Sequence, residues 1–172
     1  MKRVLSFVAV LAAIVHAWPA KTALAADGTN YSGRYTAERP KKTSGGSAES
    51  TLEVVHNADA IEITLVESGK KTTSRCPLNG SEGDYTSPGG IPGKCKAQLN
   101  AKNLIVESVV VTRPQPTANV RMHTKERWEL SKDGKTLTIR SDVDFPDFPA
   151  SISAAMAGDT STTRKYTRMG NP

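Results

Sequence analysis

The sequence has few aromatic residues and no apolar run long enough to cross a membrane as a helix. Phenylalanine, tryptophan and tyrosine together make up 5% of the 172 residues. A membrane-spanning β-barrel carries two girdles of aromatic side chains at its lipid interfaces, and so small a supply argues against that class. The apolar run at residues 4–15 falls short of the roughly 20 residues that a transmembrane helix needs. We therefore expect a protein that does not span the membrane.

Histidine is also scarce, which bears on metal sites and catalysis. Of the three histidines, His56 and His123 lie on separate predicted strands, and neither has a second ligand at zinc spacing. We expect no metal site and no cofactor. The sequence has no Gly-x-Ser-x-Gly motif. A triad of His123, Asp144 and Ser141 can be drawn on paper, but an exposed cross-strand histidine and aspartate usually form only a modest ion pair. We therefore predict that the protein is not an enzyme.

No block of basic residues marks a nucleic-acid interface. The chain has 23 lysines and arginines against 17 acidic residues, a formal net charge of +6. Three of the basic residues, Lys2, Arg3 and Lys21, precede the cleavage site predicted below, so the remaining chain carries about +3. Its basic residues are scattered among acidic residues and threonines. This pattern predicts no nucleic-acid partner.

The N-terminus has the order of charged, apolar and small residues that is typical of secretory signal peptides. Lys2 and Arg3 precede the apolar run, and a small-residue triplet ends at Ala25. We predict a cleaved signal peptide at residues 1–25 and a single β domain at residues 26–172, exported to the periplasm or the cell exterior. Earlier alanines are alternative cleavage positions. None of these positions is directly followed by a cysteine that could carry a lipid, so we expect that the protein is not a lipoprotein.

The two cysteines, Cys76 and Cys95, both lie in the part predicted to be exported. Oxidising conditions let thiols pair, and two cysteines permit one intramolecular pairing. The disulfide would close a glycine- and proline-rich loop at residues 79–93 and would stabilise the fold by about 3 kcal/mol through loop-closure entropy. The alternative is a metal pair or a reactive thiol, but neither cysteine has a histidine at ligand spacing.

From residue 30 onward, apolar and polar residues alternate with a period of two, and no segment sustains the 3.6-residue spacing of a long helix. We predict an all-β domain, an antiparallel meander of about eight or nine strands closed into a lipocalin-like barrel, with a two-sheet β-sandwich as the alternative. Residues 39–47 are predicted to be a flexible linker, and residues 151–157 could form a short helix. The predicted strands are 31–38, 50–56, 60–68, 72–78, 94–100, 104–113, 119–130, 136–145 and 162–168.

The clearest local prediction is a hairpin over residues 119–145. Turn residues separate two alternating runs, and placing Asp133 and Gly134 at the tip makes Trp128 face Ile139. A slip of one residue would send Trp128 into water, so the apolar pattern specifies the register.

One acidic side chain falls on the apolar side of this hairpin. Glu126 faces Ser141 and shares its side with Thr124 and Trp128. A buried carboxylate is costly unless it is paired or protonated, so we expect a partner or contact with water at the barrel mouth. We predict that these four residues bind a ligand. The alternative is that this end of the strand is simply open to solvent.

Three segments resemble uncharacterised bacterial exported proteins of lipocalin-like type: residues 32–35 (SGRY), residues 127–138 (RWELSKDGKTLT) and the basic final strand. In lipocalins, a Gly-x-Trp motif on the first strand is covered by an arginine from the end of the barrel. The resemblance implies that Tyr35 takes the place of the tryptophan and that Arg164 or Arg168 covers its ring. Such a contact is worth about 0.5 to 2 kcal/mol. The resemblance implies no activity.

Two functions fit these observations. The first is a non-catalytic structural or interaction protein of the cell envelope, which would use its polar outer strands or the loop at residues 79–93 as a contact surface. The alternative is a lipocalin-like binder of a small apolar ligand held between the apolar faces. The partner is otherwise unknown. An interior filled by side chains would count against the ligand binder.

Overall fold

The computed structural model describes residues 29–38, 50–100, 103–115, 118–157 and 161–170. The predicted signal peptide at 1–25 and the predicted linker at 39–47 lie outside these residues. The described chain forms ten strands and one helix: β1 (Gly33–Ala37), β2 (Ser50–His56), β3 (Ala60–Glu67), β4 (Lys70–Pro77), β5 (Gly83–Thr86), β6 (Pro92–Asn100), β7 (Asn103–Gln115), β8 (Ala118–Leu130), β9 (Thr136–Asp144), α1 (Ala150–Ala157) and β10 (Thr162–Arg168). Within the described residues, no helix combines the length and the apolar character needed to span a bilayer.

All ten strands belong to one antiparallel sheet, in the order β4-β3-β2-β1-β10-β9-β8-β7-β6-β5. β1 pairs with both β2 and β10, so the first and last strands meet in the middle of the sheet. The two edge strands, β4 and β5, come together because the backbone N–H of Thr86 donates to the Ser74 hydroxyl over 2.9 Å. The sheet is therefore a nearly closed barrel. The all-β barrel prediction is confirmed, and the two-sheet sandwich is wrong because one curled sheet surrounds one interior.

The predicted hairpin has the predicted register. Trp128 pairs with Ile139 across β8 and β9, because alternation along both strands places these side chains on the interior side. The turn is a four-residue loop, closed by the Ser131 N–H donating to the Thr136 carbonyl over 2.8 Å. Gly134 has a φ of 69°, a left-handed conformation that glycine adopts at no steric cost.

The loop predicted at residues 79–93 is wrong in part. These residues contain β5, a strand that was not predicted, and the start of β6. β5 has only four residues and begins at Gly83, so it carries no readable alternation. Its backbone is ordered by pairing with β6. A side chain on residue 83 would overlap with the carbonyl oxygen of Arg75 on β4. This glycine is therefore needed for close approach between strands rather than for a turn.

The short helix predicted at residues 151–157 is confirmed as α1. It follows Pro149, whose carbonyl accepts hydrogen bonds from the N–H groups of Ile152 and Ser153. The Ser153 hydroxyl in turn accepts a hydrogen bond from the Phe145 N–H over 3.0 Å. This contact fastens the helix to the end of β9.

The largest fully buried side chains gather at one end of the barrel, which we call the base. They are Trp128, Tyr31 and Tyr35. The Tyr31 hydroxyl donates to the Trp128 carbonyl over 3.2 Å, and the Tyr35 hydroxyl donates to the Tyr31 carbonyl over 2.9 Å. Buried phenols thus satisfy their polar ends against backbone, as buried polar groups must. The base is a packed core.

Candidate functional site

Two adjoining cavities lie toward the other end of the barrel. The inner cavity is enclosed among side chains from most of the strands and has a volume of about 70 Å³. The mouth, lined by residues of β1, β2, β3 and β10, has a volume of about 410 Å³. Arg164 and Tyr166 line both cavities, so the two adjoin at these residues. Because a water molecule takes about 30 Å³, the inner cavity has room for only a few waters, well below the roughly 300 Å³ of a small ligand pocket.

Glu126 lies on the inward face of β8 and lines the inner cavity. The Trp128 indole Nε1–H donates to Glu126 Oε2 over 2.9 Å, and the Ser141 hydroxyl donates to Oε1 over 3.2 Å. Burial raises the pKa of the Glu126 carboxyl, while the two donors and the positive charge of Arg164 act in the opposite direction. The carboxylate therefore has defined partners inside the barrel.

Arg164 and Tyr166 reach this region from β10. Arg164 lies directly opposite Ile139, a buried inward residue of β9, so the side chain of Arg164 lies on the inward face of the sheet as well. Its guanidinium lies close to the Tyr166 hydroxyl and within electrostatic reach of Glu126 and Glu67. Burial raises the pKa of Tyr166, and the neighbouring Arg164 opposes this shift. An acid, a base and a phenol thus converge where the mouth meets the inner cavity.

A second phenol completes this polar cluster. Tyr85 of β5 lines the inner cavity. Burial raises its pKa, the negative charge of Glu126 raises it further, and a hydrogen bond with Ser108 lowers it. We call Glu126, Arg164, Tyr166 and Tyr85 the polar cluster. Its hydrogen-bonding groups can orient the polar end of a bound molecule.

Three of the four predicted ligand-binding residues come together: Glu126, Trp128 and Ser141 are joined by hydrogen bonds. Thr124 lies on the same face of β8, opposite Val143, but does not line the inner cavity.

The sequence did not point to Tyr166 or Tyr85, and the resemblance offered either Arg164 or Arg168 as the arginine at the base. The usable signal was the alternation that puts Arg164 and Tyr166 on one face of the final strand. Tyr85 had no such signal, because it lies in the strand that was not recognised.

At the base, Arg168 rather than Arg164 lies over the ring of Tyr35. Its Cζ is 5.2 Å from the ring centroid, and Nη2 donates to the Tyr35 hydroxyl and to the Ser32 carbonyl, each over 2.8 Å. A side chain at Gly33 would press against the guanidinium and the ring. Gly33, Tyr35 and Arg168 therefore fit as one unit that covers this end of the core.

The histidines do not form a site. His56 is buried at the base, where the Tyr31 N–H lies 3.5 Å from Nδ1, and Nε2 has no hydrogen-bond partner within the described chain. Burial lowers the pKa of this imidazole. His123 pairs with Asp144 over 3.3 Å, while Ser141 is buried on the inward side of the sheet against Glu126. His123, Asp144 and Ser141 therefore do not form a triad. The described residues contain no cluster of three potential metal ligands.

The predicted disulfide is confirmed: Cys76 of β4 is bonded to Cys95 of β6. The bond spans the seam, by which we mean the gap between the edge strands β4 and β5. A further contact crosses near the mouth, where Lys70 Nζ donates to the Gly89 carbonyl over 2.8 Å. Because the inner cavity is lined by residues on both sides of the seam, these contacts close its wall.

A further cavity of about 510 Å³ is a groove on the outer wall. It lies between the turn after β4 and the outward residues of β6 and β7. An ion pair between Lys96 and Glu107, 3.2 Å apart, lies along it. The groove contains none of the polar cluster, so we place the candidate site inside the barrel.

No protein-family model matches the chain, and a comparison with curated proteins also finds no match. Solved structures do resemble it. The REP1-NXSQ fatty acid transporter is 15% identical, with a TM-score of 0.55 over 82% of this chain and 97% of that one. A secretary abundant heat soluble protein from Ramazzottius varieornatus is 17% identical, with a TM-score of 0.53 over 81% and 95%. A fatty acid-binding protein from Drosophila melanogaster brain tissue is 17% identical, with a TM-score of 0.50 over 80% and 99%. At these identities the similarity concerns architecture: the chain has the lipocalin-like barrel fold of these proteins.

Proposed function

We propose that the protein is a non-catalytic binder of a small apolar or amphiphilic molecule whose polar end contacts the polar cluster. The observation that carries the proposal is the convergence of Glu126, Arg164 and Tyr166 at the floor of the mouth. Small-molecule sites typically combine apolar walls with a few convergent polar groups that set orientation. The names of two solved neighbours, a fatty acid transporter and a fatty acid-binding protein, support a ligand of this kind.

The cavity volumes limit where the ligand lies. The inner cavity, about 70 Å³, cannot hold an alkyl chain without movement of its walls. The mouth, about 410 Å³, is of the right size and contacts the polar cluster through Arg164 and Tyr166. We therefore place most of the ligand in the mouth, with its polar end directed inward.

Native mass spectrometry of the purified protein and displacement of a neutral fluorescent probe with an alkyl chain test this function. We expect Arg164→Gln to weaken binding of the probe. The matched control is Arg140→Gln, which removes the same charge from an exposed arginine of β9 that lies 3.7 Å from Glu129. If no ligand is carried and the unaltered protein binds no probe, the proposal is wrong.

One observation favours the second candidate function, a structural or interaction protein of the envelope. An inner cavity of about 70 Å³ means that most of the interior is filled by side chains, so the outer surface could carry the function. Crosslinking in intact cells tests this role, and recovery of no partner would count against it.

We further propose that the protein is exported through a cleaved signal peptide at residues 1–25 and acts in a bacterial periplasm or outside the cell, without a lipid anchor. The Cys76–Cys95 disulfide fits an oxidising compartment. Intact mass measurement of the protein recovered from an exporting host tests the cleavage. A mass that includes residues 1–25 would contradict it.

A further inference from the structure

We infer that the polar end of the ligand is uncharged, and that Glu126 enforces this selectivity by balancing the charge of Arg164 from inside the barrel. The inference rests on the proposed function and deepens it by naming the ligand class. A long-chain alcohol or amide would satisfy it, whereas a fatty acid anion or an alkylammonium would not.

Glu126 is held in place by the core itself. Trp128 is only 1% exposed, and its indole N–H can donate but cannot accept. Oε2 of Glu126 is therefore needed as an acceptor, and Oε1 is used by the Ser141 hydroxyl. Rotating the carboxylate away would leave a buried indole N–H without a partner, which costs about 1 to 3 kcal/mol. The carboxyl group is therefore fixed in position, and its two donors and Arg164 favour its charged form against the effect of burial.

Strand register brings Arg164 into reach of this charge. On β9, Ile139 lies between Arg164 of β10 and Trp128 of β8, and Ser141 lies next to Glu126. Arg164 and Glu126 thus occupy neighbouring rows on the same inner face. Both line the inner cavity, and each has an electrostatic effect on the other. The positive charge that a ligand would meet first is opposed by a carboxyl group behind it.

The rest of the mouth adds no net positive charge. Besides Arg164, its charged lining residues are Lys165, Glu38 and Glu67, and Glu126 lies behind them. An anionic ligand would draw Arg164 away from Glu126 and leave the carboxylate with neutral partners only, which is unfavourable. An alkylammonium would compete with Arg164 for Glu126. A hydroxyl or amide can hydrogen-bond to Arg164 or Tyr166 without displacing either charge.

The test compares three ligands with one alkyl chain, decanol, decanoate and decylamine, by displacement of a neutral fluorescent probe at about pH 8, because burial raises the pKa of the Glu126 carboxyl and an alkaline pH favours its charged form. The variants are Glu126→Gln and, as the matched control, Glu62→Gln. Glu62 pairs with Arg75 over 3.3 Å and is exposed, so its substitution changes net charge equally but away from the site.

We expect the unaltered protein to bind decanol more tightly than either charged ligand. Glu126→Gln should raise affinity for decanoate by about tenfold or more and leave decanol within about twofold. Glu62→Gln should change neither. Adding Arg164→Gln to Glu126→Gln should abolish the gain for decanoate, because the gain comes from the released guanidinium.

The outcomes distinguish a failure of the proposed binding function from a failure of the inferred ligand class. If none of the three ligands binds, the proposed function is wrong and the inference falls with it. If decanoate binds the unaltered protein as tightly as decanol, or decylamine binds most tightly, the function stands and the inference is overturned. An unchanged decanoate affinity in a folded Glu126→Gln variant overturns it as well. The ranking on the unaltered protein decides the matter even if a variant does not fold.

Discussion

Replacing Cys76 and Cys95 together by alanine removes the covalent link across the seam. The two cysteines are 19 positions apart in sequence, and closing a loop of about that size stabilises a fold by about 3 kcal/mol in the chain-entropy model. What remains across the seam is weak: the Ser74–Thr86 hydrogen bonds and the contact of Lys70 with the Gly89 carbonyl. The Lys70 contact is exposed and the Ser74–Thr86 hydrogen bonds are partly buried, and a single hydrogen bond contributes only about 1 kcal/mol. We therefore expect a global loss of about 3 kcal/mol together with local opening at the seam.

Urea denaturation measures the global effect. With a typical slope of about 1 to 3 kcal/mol per molar urea, the midpoint should fall by roughly 1 to 3 M. Hydrogen exchange measures the local effect: amides of β4 and β5 should exchange faster relative to those of β8 and β9, which are paired on both sides. Reduction of the unaltered protein is the control, because it breaks the bond without removing buried atoms. A loss below about 1 kcal/mol, or exchange that rises equally in all strands, would refute this reasoning.

Three further predictions concern the seam, the base and pH. Gly83→Val should destabilise the fold by a few kcal/mol because the new side chain would overlap with the β4 backbone. The control is Gly89→Ala, whose side chain would make only an ordinary van der Waals contact. Equal melting temperatures for the two variants would contradict the prediction. Arg168→Met should lower the free energy of unfolding by about 1 to 3 kcal/mol, because it removes the contact with the Tyr35 ring and one hydrogen-bond partner of the Tyr35 hydroxyl. An unchanged urea midpoint would show that this contact does not stabilise the fold. Stability should fall as pH drops below about 6.5, because burial lowers the pKa of His56 in the folded state and the unfolded state therefore takes up the proton first. His56→Leu should lose this part of the pH dependence. An identical dependence of stability on pH in both proteins would contradict the assignment.

Local alternation made the hairpin and its acidic residue predictable. In β8 and β9, most of the alternate side chains on one face are apolar, so one register alone buries Trp128, and Glu126 is carried to the inside with it. The charge partners were less predictable. Lys125 lies directly opposite Asp142 in the hairpin, but its ammonium group lies 3.4 Å from the carboxylate of Glu107 on the other neighbouring strand, β7. A strand inside a sheet has two neighbours, and the hairpin pattern reveals only one.

Long-range register explains the remaining differences. Whether Arg164 or Arg168 covers Tyr35 depends on how β10 pairs with β1, where Tyr35 lies directly opposite Arg168. That pairing joins the two ends of the described barrel, and no local pattern specifies it. β5 was missed for a related reason, since four residues that begin with glycine gain their strand conformation from β6 and from close packing on β4.

The core of this barrel and its candidate site share a residue, which limits how independently they can change. Trp128 fills the base with its ring and holds Glu126 with its indole N–H. A smaller residue at this position would enlarge the interior, as a spacious ligand pocket requires, but it would also release the carboxylate that balances Arg164. Cavity size and charge selectivity are therefore coupled through one side chain. A barrel packed in this way would reach a larger ligand by using its mouth rather than by emptying its base.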